Sequence, residues 1–167
     1  MKTLEQLIQQ LTIKVQQKAK VNIFELFPLV KAYANNDWET SLLTENHKPK
    51  NTLLYHDEQL KVILIHWNSF QKSSKHGHPG GGGLLKVLSG TLIESLFDPQ
   101  NTEMMTGKHR YTAGDIAFIH DDIAHHIVEN PKRTSAVSLH IYSPALYVPG
   151  FAPATIPQQR FKLRTAA

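Results

Sequence analysis

His76 and His78 are the residues whose type and spacing most directly suggest chemistry: two histidines separated by one glycine. Alternate side chains of an extended chain point to the same side, so both imidazoles can address one point in space. Imidazole nitrogen is a ligand for iron, zinc, copper and nickel. The pair therefore predicts two ligands of a metal site. The alternative is a chance pair on a surface turn.

A metal site needs a further ligand, and the chain supplies four candidates after this pair. They are His120, His125, His126 and His140. His125 and His126 are adjacent, so on a strand only one of them faces inward. The chain contains ten histidines and no cysteine. This composition points to an imidazole-based metal site or a histidine-rich pocket, and it excludes thiolate zinc sites and cysteine nucleophiles.

Ser138, His140 and Tyr142 occupy alternate positions of one run of residues, so a strand would present them on a single face. Leu139 and Ile141 would lie on the opposite face. An inward-facing polar side chain is costly unless it is hydrogen-bonded. The alternation therefore indicates either a pocket lined by these three side chains or a face exposed to solvent.

Two kinds of element must position these side chains. Near the start, apolar residues recur three and four positions apart: Leu4, Leu7, Ile8, Leu11 and Val15. This spacing predicts helices before about residue 34. From residue 51 onward, short runs rich in β-branched and aromatic residues predict seven strands. Their ranges are 51–55, 60–67, 83–90, 91–97, 115–119, 125–130 and 135–144. Strands without intervening helices predict an antiparallel sandwich or barrel.

Composition narrows the class of protein further. A length of 167 residues favours one domain, and 41% hydrophobic with 19% charged residues excludes a disordered chain. No apolar run approaches the roughly 20 residues of a membrane helix. The net charge is +4 and the basic residues are scattered, which argues against a nucleic-acid partner. The first ten residues lack the apolar core of a signal peptide, so we expect a cytoplasmic protein without a membrane partner.

Two segments of the strand region are similar to the two motifs of the cupin superfamily. The first motif is Phe70-x5-His76-x-His78 followed by Gly90, and the second is Gly114 followed by His126-x3-Asn130. Three segments resemble more specifically the thiol dioxygenases of the cysteine dioxygenase type. They are residues 73–97, 117–130 and 136–144. The resemblance runs from about Asn51 to Pro144, and the expected N-terminal helices also suit that family.

This resemblance implies a mainly β protein, a cupin-type (jelly-roll) β-barrel with N-terminal α-helices. It implies that His76, His78 and His126 are three facial ligands of a non-haem Fe(II). The acidic ligand of many cupins falls at Gly83 here, so the resemblance implies a three-histidine site with open positions for substrate and O2.

The same resemblance assigns roles to the alternating polar residues. Ser138, His140 and Tyr142 match a relay in which the tyrosine hydroxyl lies beside the bound substrate and oxygen. Trp67 matches a tryptophan of the strand that precedes the ligands. These three polar residues are therefore the catalytic candidates.

The sequence departs from the family pattern at two places. Animal members carry a cysteine at the position of Gly83 that crosslinks to the tyrosine, and this chain cannot form that bond. The arginine that binds the substrate carboxylate falls at Lys50 or Asn51. Lysine offers a point charge where arginine offers a bidentate fork. Arg160 or Arg164 of the C-terminal tail is the other expected source of that cation.

Together these observations predict one domain over residues 1–167. Residues 1–45 form a helical cap, 46–148 the barrel and 149–167 a C-terminal flap. The expected activity is that of an Fe(II)-dependent thiol dioxygenase, which adds both atoms of O2 to the sulfur of a small thiol and gives a sulfinate. The thiol is cysteine or a related mercapto-carboxylate. The alternatives are a metal-binding cupin acting on a non-thiol small molecule and a non-catalytic ligand-binding module.

Overall fold

The amphipathic N-terminal run folds into helices, as its spacing predicts. The computed structural model describes residues 1–18, 21–42, 51–78, 81–120 and 122–144. The helices are α1 (Leu4–Gln16), a 3-10 helix (Ile23–Leu26), α2 (Phe27–Ala32) and α3 (Glu39–Leu42). At the start of α1, the Gln6 backbone N–H donates to Thr3 Oγ1 at 3.2 Å, and the Thr3 N–H donates to Gln6 Oε1 at 3.0 Å. This capping box satisfies two backbone donors that a helix start otherwise leaves without a partner.

The described part of the chain contains eight strands, one more than predicted. They are β1 (Asn51–His56), β2 (Lys61–Trp67), β3 (Gly83–Ser89), β4 (Thr91–Phe97), β5 (Met105–Thr112), β6 (Ile116–Ile119), β7 (His125–Glu129) and β8 (Ala136–Tyr142). The prediction of seven strands is wrong because it omits β5. That strand is one of the two outer strands of its sheet in the described part of the chain, and its exposed residues include Lys108, His109 and Arg110. A strand exposed on most positions lacks the apolar alternation by which strands are recognised.

The strands form two antiparallel sheets with an apolar interior between them. One sheet has the order β1-β2-β8-β3-β6 and the other the order β5-β4-β7. Ile65, Val87 and Leu92 are among the buried residues that join the two sheets. A second apolar cluster lies between the larger sheet and the helices, where Leu7 and Leu139 are fully buried. None of the described helices combines the length and the apolar character that a membrane crossing requires.

Lys86 joins the barrel to the helices. This lysine of β3 is only 5% exposed, and its Nζ donates to the carbonyl oxygens of Val30 at 2.9 Å and of Lys31 at 3.3 Å. It also donates to the carbonyl oxygen of Tyr33. The last carbonyls of a helix have no partner within the helix, so the ammonium group supplies the donors that the end of α2 needs. The expected limits of the cap and of the flap, at residues 45 and 149, lie outside the described residues.

Candidate metal centre and active site

Three histidines converge at one end of the barrel. His126 Nε2 lies 2.9 Å from His76 Nε2 and 2.9 Å from His78 Nε2. A pair of backbone hydrogen bonds sets this arrangement, because the His76 N–H donates to the His126 carbonyl at 3.0 Å and the His126 N–H donates to the His76 carbonyl at 2.8 Å. His78 follows two residues after His76, which brings its ring to the same place. Among the described residues, these three form the group whose ligand atoms lie within 4.8 Å of one another.

The hydrogen bonds at the far side of two rings fix which nitrogen faces inward. His76 Nδ1 donates to the Ser74 carbonyl at 2.8 Å, and His126 Nδ1 donates to Glu94 Oε1 at 2.6 Å. A neutral imidazole carries one proton, so Nε2 of each ring presents a lone pair to the other. Two acceptors 2.9 Å apart have no proton to share. A divalent metal ion would accept both lone pairs, so the residues present fit such an ion.

Burial keeps the rings of His76 and His78 in the neutral form that binds metals. Burial and the neighbouring His126 lower the pKa of His76 to about 4. The same two causes lower the pKa of His78 still further. Because only unprotonated imidazole binds a metal ion, both rings are ready to act as ligands at neutral pH.

Ser138, His140 and Tyr142 line the barrel interior, so a solvent-exposed face is the wrong interpretation of their alternation. Their exposed fractions are 0%, 6% and 2%. The ring of Tyr142 stacks on that of His78, with a centroid distance of 5.3 Å and an interplanar angle of 17°. This contact joins the polar face of β8 to the histidine cluster.

A chain of hydrogen bonds runs from Trp67 to Tyr142, and its direction follows from the donor at its start. Trp67 Nε1 donates to Ser138 Oγ at 2.8 Å. Ser138 Oγ lies 2.8 Å from His140 Nε2, and His140 Nδ1 lies 3.0 Å from Tyr142 Oη. Indole N–H only donates, so the serine oxygen accepts this hydrogen bond and the serine O–H donates one to His140 Nε2. Neutral His140 then carries its proton on Nδ1 and donates to Tyr142 Oη, which leaves the tyrosine O–H to donate elsewhere.

The metal-free protein should lose stability as the pH falls below 6.5. Burial lowers the pKa of His140 from 6.5 to about 3. In the unfolded chain His140 therefore takes up a proton near pH 6.5, whereas in the folded chain His140 does so only near pH 3. The stabilisation is full above pH 6.5 and decreases toward pH 3, and one such group costs about 2 kcal/mol by pH 5. Urea unfolding at pH 7 and pH 5 measures this difference. A His140→Leu variant should show a smaller difference, and equal pH dependence in both proteins would contradict the assignment.

Gly83 explains how the tyrosine ring fits beside the histidines. A Cβ atom at this position would lie 2.8 Å from Tyr142 Cδ1 and 2.9 Å from its Cε1. Any larger side chain would therefore have to displace the ring. Glycine at this position leaves room for the ring and supplies neither a carboxylate ligand nor a thiol.

The other candidates from the sequence lie elsewhere. His120 lies outside the cluster, with its Nδ1 3.3 Å from Asp122 Oδ2, and half-buried His125 also lies outside it. His140 belongs to the hydrogen-bonded chain. Asn51 begins β1 opposite Ile65 of β2. The three other expected carboxylate partners lie outside the described residues: Lys50, Arg160 and Arg164.

Sequence reasoning missed three polar residues near the site. Glu94 accepts the hydrogen bond from His126, and Tyr111 donates to Glu94 Oε2 at 3.0 Å. The signal for Glu94 was a single carboxylate between Leu92 and Leu96, at alternate positions of an apolar strand. Lys61, at the start of β2, lies opposite Tyr142 in the β2–β8 register. Directly opposite residues share one face of a sheet, so Lys61 lies on the same face as the tyrosine.

Comparisons with known proteins agree with this geometry. The family model for cysteine dioxygenase type I matches residues 1–149. Cysteine dioxygenase type 1 of Rattus norvegicus is 33% identical over 133 residues, which cover 75% of this chain and 66% of the rat protein. The chain thus spans just under two thirds of that relative's length. The corresponding protein of Danio rerio is 33% identical over 153 residues, which cover 85% of this chain and 75% of the relative.

A solved structure shows the same fold. The uncharacterized conserved protein with a double-stranded β-helix domain from Klebsiella pneumoniae superposes with a TM-score of 0.52 at 21% identity, over 68% of this chain and 90% of that chain. The double-stranded β-helix is the cupin barrel, so the expected mainly β fold with N-terminal helices is confirmed. The resemblance seen in the sequence is confirmed as well: the chain belongs to the cysteine dioxygenase type I family.

Proposed function

We propose that this protein is an Fe(II)-dependent thiol dioxygenase that adds both atoms of O2 to the sulfur of a small thiol and gives a sulfinate. The observation that carries this proposal is the convergence of three histidine Nε2 atoms beside Tyr142. Membership of the cysteine dioxygenase type I family supports the reaction class. In this proposal His76, His78 and His126 hold the iron, and Ser138, His140 and Tyr142 are the catalytic group.

The bound Fe(II) would supply coordination positions for the thiolate and O2 and the electrons that activate oxygen. His76, His78 and His126 would hold this ion through their converging Nε2 atoms. The Tyr142 hydroxyl oxygen accepts a hydrogen bond from His140 Nδ1, so its own O–H would be directed toward the substrate and the bound oxygen. Leu85 and Val87 lie opposite His140 and Ser138 in the β3–β8 register, so apolar side chains border this polar face and would limit the access of bulk water.

The substrate in this proposal is cysteine or a related mercapto-carboxylate, and it needs a partner for its carboxylate. Lys50 and Asn51 match the family's arginine position, and Arg160 and Arg164 are the cations of the tail. Lys61 adds a candidate, because it lies opposite Tyr142 on the same face of the sheet. A lysine would hold the carboxylate as a point charge. Cytoplasmic localisation stays a prediction of the sequence.

Oxygen uptake by iron-reconstituted protein tests the proposal, with metal content measured on the same sample. The panel contains cysteine, 3-mercaptopropionate, cysteamine and 2-mercaptoethanol. We expect one equivalent of bound iron and uptake that is restricted to the thiols with a carboxylate. Iron without uptake on any thiol would contradict thiol oxidation and favour a non-thiol substrate. A protein that binds no iron would contradict the proposal that this chain is an iron-dependent enzyme.

Replacing Tyr142 with phenylalanine should lower thiol-dependent turnover by about 10²-fold, because it removes a hydrogen-bond donor aimed at the reacting atoms. Iron content should stay the same, since the tyrosine is not in the ligand set. Oxygen uptake at saturating thiol measures the effect. Tyr55→Phe is the matched control, because it also removes one hydrogen-bonded tyrosine hydroxyl, which donates to Asp57 Oδ2 at 2.6 Å outside the proposed site. Equal activity of both variants would remove Tyr142 from the catalytic group.

A further inference from the structure

We propose that Glu94 and Tyr111 are positioning residues of the metal centre. A carboxylate ligand at the position of Gly83 would bring a negative charge to the metal. Glu94 supplies that charge instead, one hydrogen bond beyond the ligands. Tyr111 holds the Glu94 carboxylate in place. This inference rests on the proposed metal site, but it concerns the binding and the potential of the metal rather than the substrate.

The contact between Glu94 and His126 is enclosed by protein. Glu94 of β4 lies opposite Val128 of β7, which places its carboxylate on the inner face next to the ring of His126. The 2.6 Å distance from Glu94 Oε1 to His126 Nδ1 is short, and each side chain is only 3% exposed. A carboxylate that accepts from the outer nitrogen of a metal-binding histidine fixes its tautomer and ring orientation and makes its inner nitrogen a stronger donor.

Tyr111 occupies the second oxygen of the same carboxylate. Its hydroxyl donates to Glu94 Oε2 at 3.0 Å from strand β5. Burial, together with the charge of Glu94, raises the pKa of Tyr111 above its ordinary value, so the hydroxyl keeps the proton that it donates. With both oxygens engaged from two neighbouring strands, the carboxylate cannot rotate away from His126.

The ligand set itself explains why such a charge matters. Three neutral imidazoles leave the two positive charges of a divalent ion uncompensated, whereas a ligand carboxylate would offset one of them. Gly83 offers none, and its Cβ position is taken by the Tyr142 ring. Of the acidic groups in the described residues, Glu94 is the one hydrogen-bonded to a ring of the cluster. The negative charge of Glu94 therefore acts on the metal site through its hydrogen bond to His126.

The test compares Glu94→Gln, Tyr111→Phe and Tyr55→Phe in the full-length chain. Fe(II) affinity is measured by competition with a chelator, and the midpoint potential of the bound iron is measured without thiol. We expect Glu94→Gln to lower Fe(II) affinity by about 10- to 100-fold and to shift the potential to a more positive value, because Fe(III) loses more stabilisation than Fe(II). Tyr111→Phe should move both quantities in the same direction by less.

Tyr55→Phe should change neither quantity, because it removes a tyrosine–carboxylate hydrogen bond outside the metal site. Thermal unfolding of each metal-free variant shows whether the protein is folded. If Glu94→Gln does not fold, Tyr111→Phe alone decides the question. Unchanged affinity and potential in the folded variants would overturn the inference. Wild-type protein that binds iron but oxidises no thiol would contradict the proposed function. The affinities and potentials of the variants would still decide whether Glu94 and Tyr111 position the metal centre.

Discussion

Protein in which His126 is replaced by alanine is expected to retain almost no iron. The variant loses one of the three proposed ligands, and it leaves the buried Glu94 carboxylate without its imidazole partner. Changing a residue beyond the ligands lowers metal affinity 10- to 100-fold, so removing a ligand should lower Fe(II) affinity by more than about 100-fold. Metal analysis after Fe(II) reconstitution and desalting measures the loss. Thiol-dependent oxygen uptake should disappear with the iron.

His125→Ala is the matched control for this experiment. The two histidines are adjacent on β7, and only His126 places its ring in the cluster. The control should therefore keep its iron, because the same change is made one residue away on the other face of the strand. Iron retained by His126→Ala, or lost by His125→Ala instead, would show that the proposed ligand set is wrong.

Replacing Lys86 with methionine is expected to lower the free energy of unfolding by about 3 kcal/mol. Methionine fills a similar volume but cannot donate, so the Tyr33 carbonyl oxygen loses the ammonium group and the Val30 carbonyl keeps only the backbone N–H of Tyr33 at 3.3 Å. Each buried acceptor that loses its partner costs about 1–3 kcal/mol. Urea unfolding of the metal-free protein at pH 7 measures the change.

Lys18→Met is the control for the lysine experiment. Lys18 Nζ lies 2.6 Å from Glu25 Oε2, but its side chain is 51% exposed. An exposed ion pair contributes little to stability, so this variant should unfold within about 0.5 kcal/mol of the wild type. Equal losses for both lysines would show that Lys86 does not stabilise the junction of α2 and β3.

The sequence predicts the helices and strands whose apolar residues recur with a clear period. The apolar stripe of α1 predicts its buried face, and the alternation in β8 predicts the shared face of Ser138, His140 and Tyr142. Strand β5 carries no such pattern, because an outer strand with exposed charged side chains has no apolar period. Its existence depends on pairing with β4, which is a long-range contact.

The site was less predictable than the fold, since side-chain direction depends on register. The alternation alone leaves open whether His125 or His126 faces the barrel interior. The β4–β7 register decides this, because it places His126 opposite Leu96 and brings the ring next to Glu94. Glu94 was overlooked for the same reason: a single carboxylate in an apolar strand becomes informative only when its neighbour across the sheet is known.

The outer strand β5 also bears on how copies of this protein meet. An outer strand has unpaired backbone donors and acceptors. Another extended chain can pair with them, and such pairing often initiates aggregation. Here the exposed side chains of three consecutive residues, Lys108, His109 and Arg110, are all basic. Two such edges that approach each other bring the like charges of Lys108 and Arg110 together, and dissolved salt screens the repulsion between them. The colloidal stability of the protein should therefore depend on salt, with dilute buffers keeping these edges apart.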